Sequence, residues 1–110
     1  MEKKIIFGQL GRLKPEKIEE YEKLHANPWP QVQKVLHEGN LRNYSIFLEG
    51  NLVFAYFEYV GDDYEADMEK MGEDVHMQCW LTHTRPCFEE YGIRKDALYY
   101  ADMKQIFYFE

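Results

Sequence analysis

Tyr21 and His25 are the two side chains of this sequence whose types and spacing most invite chemistry. Four residues apart on a helix, they lie on one face, one turn above the other. Ile18, three residues before Tyr21, makes that face apolar apart from the phenol and the imidazole. An imidazole titrates near neutral pH and can give or take a proton, and a phenol can hold a hydroxyl or share the proton. One reading is a general acid/base with a hydroxyl partner, aimed into a pocket. The other is a pair of core side chains with satisfied polar tips, and the stretch taken alone favours it. The helix ends at the corner Asn27-Pro28-Trp29-Pro30.

The elements that must position this pair follow from pattern and punctuation. Ile5 to Leu10 reads as a first strand, closed by Gly11 to Lys14. Pro15 suits the first position of a helix running to Ala26, with Glu16, Glu19 and Glu20 at the positive end of its dipole. Pro30 opens a second short helix, Gln31 to His37, and Glu38-Gly39-Asn40 ends it. Leu41 to Leu48 is a second strand, with Tyr44, Ile46 and Leu48 on one face and Ser45 and Phe47 on the other. A tight hairpin, Glu49-Gly50-Asn51, leads to the third strand, Leu52 to Val60, apolar enough to be covered on both faces. Gly61-Asp62-Asp63 supplies the N-cap of a helix from Tyr64 to Met71, Gly72 breaks it, and Asp74 caps another from Val75 to about Thr84 that carries Trp80. Cys87 to Ala97 is irregular, and Tyr99 to Phe109 is expected to be the last strand.

The order β, α(α), β, β, α(α), β predicts an α+β, ferredoxin-like fold: an antiparallel four-stranded sheet with helices on one face. Nothing in that order covers the second face, whose side chains are also apolar, so a homodimer packed sheet on sheet, a dimeric α+β barrel, is expected.

A chain of 110 residues supports one core, so residues 1–110 are read as a single domain. Aromatic content is 16%, with 9 Tyr, 7 Phe and 2 Trp, so a core or a pocket must be lined with rings. Such walls suit a small, neutral, hydroxyl-rich ligand, since rings stack on its CH faces while phenol and imidazole bond its hydroxyls. The net charge of -7 argues against nucleic acid, anionic membranes and phosphorylated substrates as partners. The basic residues Lys3, Lys4, Arg12, Lys14 and Lys17 are scattered, and there is no phosphate-cradling glycine loop. Cys79 and Cys87 are too few for a disulfide framework, and no secretory signal precedes the first strand. No apolar run approaches the roughly 18 residues of a membrane span, so a cytoplasmic location is expected. His76, Cys79 and His83 could share a helical face, but Pro86 interrupts before Cys87, and no metal site is expected from this set.

Several motifs, in order along the whole chain, resemble one family. Tyr21-x-x-x-His25, Trp29-Pro30 and Asn43-Tyr44-Ser45-Ile46-Phe47 look like the first half of the L-rhamnose mutarotase family. Phe54-x-Tyr56-Phe57-Glu58, then Asp74-Val75, Trp80 and Thr84, then Met103-x-x-Ile106-Phe107-Tyr108 are similar to its second half. The resemblance implies a dimeric ferredoxin-like barrel that interconverts the α and β anomers of a pyranose, L-rhamnose in that family, without a cofactor. It implies a proton-donor role for His25, and sugar-hydroxyl binding by Tyr21 and Tyr44. The family's Trp-Trp pair becomes Cys79-Trp80 here, Cys79 standing at the first position. Sliding the alignment by one residue puts Trp80 and Leu81 there instead. One tryptophan is lost either way, which bears on sugar choice and affinity more than on the chemistry. Gly92 to Leu98 also departs from the family's proline-containing run.

The residues suit that chemistry. Opening a hemiacetal puts a proton on the ring oxygen and takes one from the anomeric hydroxyl, which a group titrating near 6.5 can do in either direction. Trp80 offers a ring face for the sugar, though plain helix packing explains it equally, as strand packing explains Tyr44. His37, His76 and His83 read as solvated or helix-terminal. The group that removes the anomeric proton stays open among Tyr21, an acidic side chain and a water. The same fold also hosts monooxygenases, and a sugar-binding protein without turnover is a further alternative.

Overall fold

A computed structural model describes residues 4–110. The lead-in before the first strand, residues 1–3, lies outside them. The elements are β1 (Ile5–Arg12), α1 (Ile18–Ala26), α2 (Pro30–Glu38), β2 (Leu41–Glu49), β3 (Leu52–Tyr59), α3 (Tyr64–Gly72), α4 (Val75–Thr84) and β4 (Ala101–Asp102). Short 3-10 turns, Pro15–Lys17 and Arg85–Cys87, lead into α1 and out of α4. The helix expected from Pro15 therefore starts as a tighter turn and becomes α-helical only at Ile18.

The sheet has the order β2-β3-β1-β4, and its pairs are antiparallel. This is the ferredoxin-like arrangement that the element order predicts, with the two βαβ halves interleaved so that β1 and β3 lie side by side. β3 alternates strictly: Val53, Ala55, Phe57 and Tyr59 are buried, while Leu52, Phe54, Tyr56 and Glu58 are half-buried. Within the single chain only one face is fully covered, and the cover that the strand's composition predicts for the other is not supplied by this chain's own elements. The covered face packs under the helices: Phe57, Tyr59 and Leu41 meet Leu36, Tyr64, Met68 and Met71.

Local chemistry accounts for most boundaries. Asp74 Oδ1 accepts from the backbone N–H of His76 (2.9 Å) and of Met77 (3.0 Å), satisfying two donors that the start of α4 leaves free. Asp63 does the same for Ala66 at the start of α3. Gly50 turns the β2–β3 hairpin at φ +60°, a conformation glycine adopts without strain.

An irregularity in β2 decides where its side chains point. The β2–β3 register shifts between Arg42 and Ser45, where Asn43 has φ +52°. Leu41 lies opposite Tyr59 and Ile46 opposite Ala55, so both belong to the covered face although they are five positions apart. Strict alternation would put them on opposite faces; the extra residue of a bulge restores them to one. The bulge brings the Tyr44 ring to stack on Phe57, centroids 5.1 Å apart, on the side of the sheet where α1 lies.

The last strand is much shorter than the sequence pattern suggests. Only Leu10↔Ala101 and Gln9↔Asp102 pair, followed by a Met103 N–H to Gly8 carbonyl bond of 2.8 Å. Beyond that point the alternating apolar residues find no ladder within the chain, and Ile106, Phe107 and Phe109 are exposed. The segment that precedes β4 is irregular, as expected. It runs beside the end of β1, with Lys14 N–H on the Cys87 carbonyl and Glu89 N–H on the Arg12 carbonyl, each 2.8 Å. Phe88 and Cys87 thereby join Leu13, Val53 and Tyr21 in the core.

Candidate functional site

Four elements deliver aromatic and titratable side chains to one place above the covered face. α1 supplies Tyr21 and His25, whose rings lie 4.4 Å apart, as their spacing predicts. α4 supplies Trp80, its ring edge-on to His25 at 5.3 Å. β2 supplies Tyr44. The residue just before β4 supplies Tyr100, whose hydroxyl is 2.9 Å from that of Tyr21.

Tyr21 is 5% exposed and Trp80 7%, while His25 is half-buried. Burial raises the Tyr21, Tyr44 and Tyr100 phenols above the ordinary tyrosine range, so all are neutral in the physiological range. The phenols also act on one another: Tyr44 adds to the rise at Tyr21, Tyr100 to that at Tyr44, and Tyr21 to that at Tyr100.

His25 is shifted the other way. Desolvation lowers it below its usual 6.5, and its bond to the Tyr21 backbone offsets part of that. That bond joins His25 Nδ1 to the Tyr21 carbonyl oxygen at 2.8 Å. A carbonyl only accepts, so Nδ1 carries the hydrogen and Nε2 is the basic nitrogen of the neutral ring. The arrangement can therefore take up a proton at Nε2, hold hydroxyl groups with neutral phenols, and set an indole beside the imidazole.

The site residues expected from the sequence divide clearly. Tyr21, His25, Tyr44 and Trp80 come together. Cys79 does not: it is exposed, because neighbouring positions on α4 point about 100° apart and Trp80 takes the inward one. His37 and His83 are exposed on the surface and His76 sits at the start of α4. Among the described residues no three His, Cys, Asp or Glu side chains are placed to share a metal ion.

Sequence reasoning missed Tyr100, Phe88 and Trp29. Phe88 meets Tyr21 edge-on at 5.4 Å and Tyr100 at 5.0 Å. Trp29, from the Pro-Trp-Pro corner, packs edge-on to Trp80 at 5.2 Å, so Trp80 still has an indole neighbour. The Tyr99-Tyr100 doublet ahead of a strand was the only sequence signal for a further phenol. An open groove between Glu16, Glu20, Lys23 and Trp29 touches neither Tyr21 nor His25. Convergent polar groups with shifted acidity, not surface hollows, locate the site.

Comparison with known proteins identifies the family. The family model described as L-rhamnose mutarotase matches residues 7–109. An L-rhamnose mutarotase of Oceanobacillus iheyensis is 31% identical over 105 residues, covering 94% of this chain and 96% of that protein. The solved L-rhamnose mutarotase of Formosa agariphila superposes with a TM-score of 0.71 at 18% identity, over 96% of this chain and 99% of the other. Tetracenomycin F2 cyclase of Streptomyces glaucescens has the same fold, with a TM-score of 0.65 at 13% identity over 96% of this chain and 99% of its own. The fold therefore does not choose the chemistry. The match along the sequence does: this chain belongs to the L-rhamnose mutarotase family.

Proposed function

We propose that this chain interconverts the α and β anomers of L-rhamnose, with His25 as the proton-transfer group. The activity is that of the family to which the chain belongs. The observation that carries the assignment of His25 is its fixed tautomer beside Tyr21 and Trp80.

Opening the pyranose moves one proton off the anomeric hydroxyl and one onto the ring oxygen; the freed aldehyde rotates, and closure reverses both transfers. His25 is neutral at rest, so in opening Nε2 takes the proton of the anomeric hydroxyl and, as imidazolium, gives it to the ring oxygen on the same carbon, and closure runs the two transfers backwards. The donor role that the family resemblance implies is that of the imidazolium. Tyr21 and Tyr44 hold sugar hydroxyls, and the Trp80 ring, 5.3 Å from His25, covers CH groups. Proton transfers alone complete this reaction, so its chemistry calls for no metal and no nucleotide. The chain works as a single domain, as a homodimer joined through the second sheet face, and in the cytoplasm. No described helix is long and apolar enough to cross a membrane.

Saturation-transfer NMR of L-rhamnose, with L-fucose and D-glucose in parallel, tests the reading. Enzyme-dependent anomer exchange is expected with L-rhamnose. A folded protein that accelerates none of the three overturns it.

A further inference from the structure

We propose that Tyr100 is a positioning residue for the sugar: its hydroxyl donates to that of Tyr21, 2.9 Å away, and leaves the Tyr21 proton free for a sugar oxygen. The inference deepens the mutarotase reading and rests on it.

Two neutral phenols that share one hydrogen bond carry two protons, and the bond uses only one. Tyr21 is 5% exposed, and among the described residues its hydroxyl bonds to Tyr100 alone. Whichever phenol accepts is left with a spare donor, and at Tyr21 that donor is buried and asks for a partner. The geometry says which one. Tyr21 is the phenol whose ring lies against His25, so it is the member of the pair on the imidazole's side. Tyr100 belongs to the sheet instead: the next residue, Ala101, pairs with Leu10. Phe88 is edge-on to both rings, at 5.4 Å and 5.0 Å, so one side chain braces the pair. A hydroxyl that accepts one hydrogen bond also donates a stronger one. Tyr100 thus both aims and strengthens the contact that Tyr21 makes.

The test compares Tyr100→Phe, Tyr21→Phe, the double variant and Tyr99→Phe for L-rhamnose exchange by NMR. Tyr99 is the neighbouring phenol, and its ring stacks under Arg85 rather than on Tyr21. Tyr100→Phe keeps the ring on Phe88, and a thermal melt checks the fold. The expected result is a KM raised roughly three- to tenfold with kcat little changed. The double variant is expected to be no worse than Tyr21→Phe alone, because Tyr100 acts only through Tyr21. Tyr99→Phe is expected to match the wild type. An unchanged KM in Tyr100→Phe, or losses that add in the double variant, overturns the proposal while the mutarotase reading stands. No exchange by the wild type overturns both. Should Tyr100→Phe not fold, the wild type decides through its slowly exchanging phenol protons. The Tyr100 hydroxyl proton should persist at saturating L-rhamnose with a cross-relaxation peak to the Tyr21 ring, and its loss overturns the proposal.

Discussion

The imidazole of His25 donates its Nδ1 hydrogen to the carbonyl oxygen of Tyr21, one turn earlier on the same helix, at 2.8 Å. The partner is backbone, so no substitution at Tyr21 that preserves the helix releases the tautomer. Nε2 stays the exchanging nitrogen whatever the side chain at position 21, and the roles of the two residues can be separated by mutation.

Burial lowers His25 below 6.5, and the sign of the pH response follows from that. Exchange that begins with neutral His25 is expected to be flat above neutral pH and to fall on the acid side, below the usual histidine value. His25→Gln is expected to lose about 100-fold or more in kcat and to lose the acid limb with it. Tyr21→Phe should keep the limb at the same pH. The same shift acts on stability. The unfolded chain binds its proton near 6.5, before the folded one does, so the native state loses stability as pH falls from 6.5 through the lowered value. A pH series of urea melts on the wild type and His25→Gln checks this, the wild type losing more over that range.

Adjacent positions on α4 are expected to answer differently to substitution. Trp80→Phe removes half of the indole face beside His25 and is expected to raise KM for L-rhamnose several-fold with a smaller effect on kcat. Cys79→Ser is expected to leave both constants near wild type, since the thiol is exposed. Initial-rate NMR at a series of sugar concentrations checks both. An equal loss in the two variants would show that the sugar reaches over the outer edge of the helix.

Much of this arrangement is legible in the sequence wherever one local rule decides. Asp74 before an apolar run marks the start of α4, and spacing of four residues makes the Tyr21–His25 pair. Tyr44 falls on the right face by alternation, but Leu41 shares it only because of the bulge at Asn43, and nothing in Leu41 to Leu48 announces an extra residue. Tyr100 is not legible as a site residue. Its contact with Tyr21 spans 79 positions and exists only after β1 pairs with β4, and alternation alone cannot report such a partner. The overlong last strand has the same origin: an alternating pattern shows what could pair, while the ladder needs an available neighbour.

Away from the site, Asp67 on α3 ties the helix layer to the sheet. The Tyr59 hydroxyl donates to Asp67 Oδ2 at 2.5 Å, and the Asn40 amide donates to the same oxygen at 3.0 Å. These bonds, Tyr59 first and Asn40 second, hold the Asp67 carboxyl below its usual value. A carboxylate with a lowered folded value stabilises above the unfolded value of 3.8 and ceases to do so as pH falls through the folded one. Tyr59→Phe is therefore expected to lower the urea midpoint at pH 7. The gap between variant and wild type should narrow as pH falls below 3.8, and a gap of constant size would rule out the carboxylate as its cause.

The second sheet face leads to the last prediction. Leu10 lies opposite Phe54, and Phe54 opposite Phe47, giving an apolar row across three strands whose Phe47 end is 62% exposed. The exposed residues Ile106, Phe107 and Phe109 follow from the edge of the same sheet. An apolar row of this kind is expected to lie at an interface, and a sheet face joined to its own copy would bury it on both sides at once. Sedimentation is expected to give twice the 13.3 kDa chain mass at micromolar concentration. Phe54→Asp, which puts a charge in the middle of the row, is expected to shift the protein to monomers. Val75→Asp, at an exposed apolar position at the start of α4, should remain dimeric. A wild type that sediments as a monomer, or a Phe54→Asp variant that stays dimeric, would remove this face as the contact between copies.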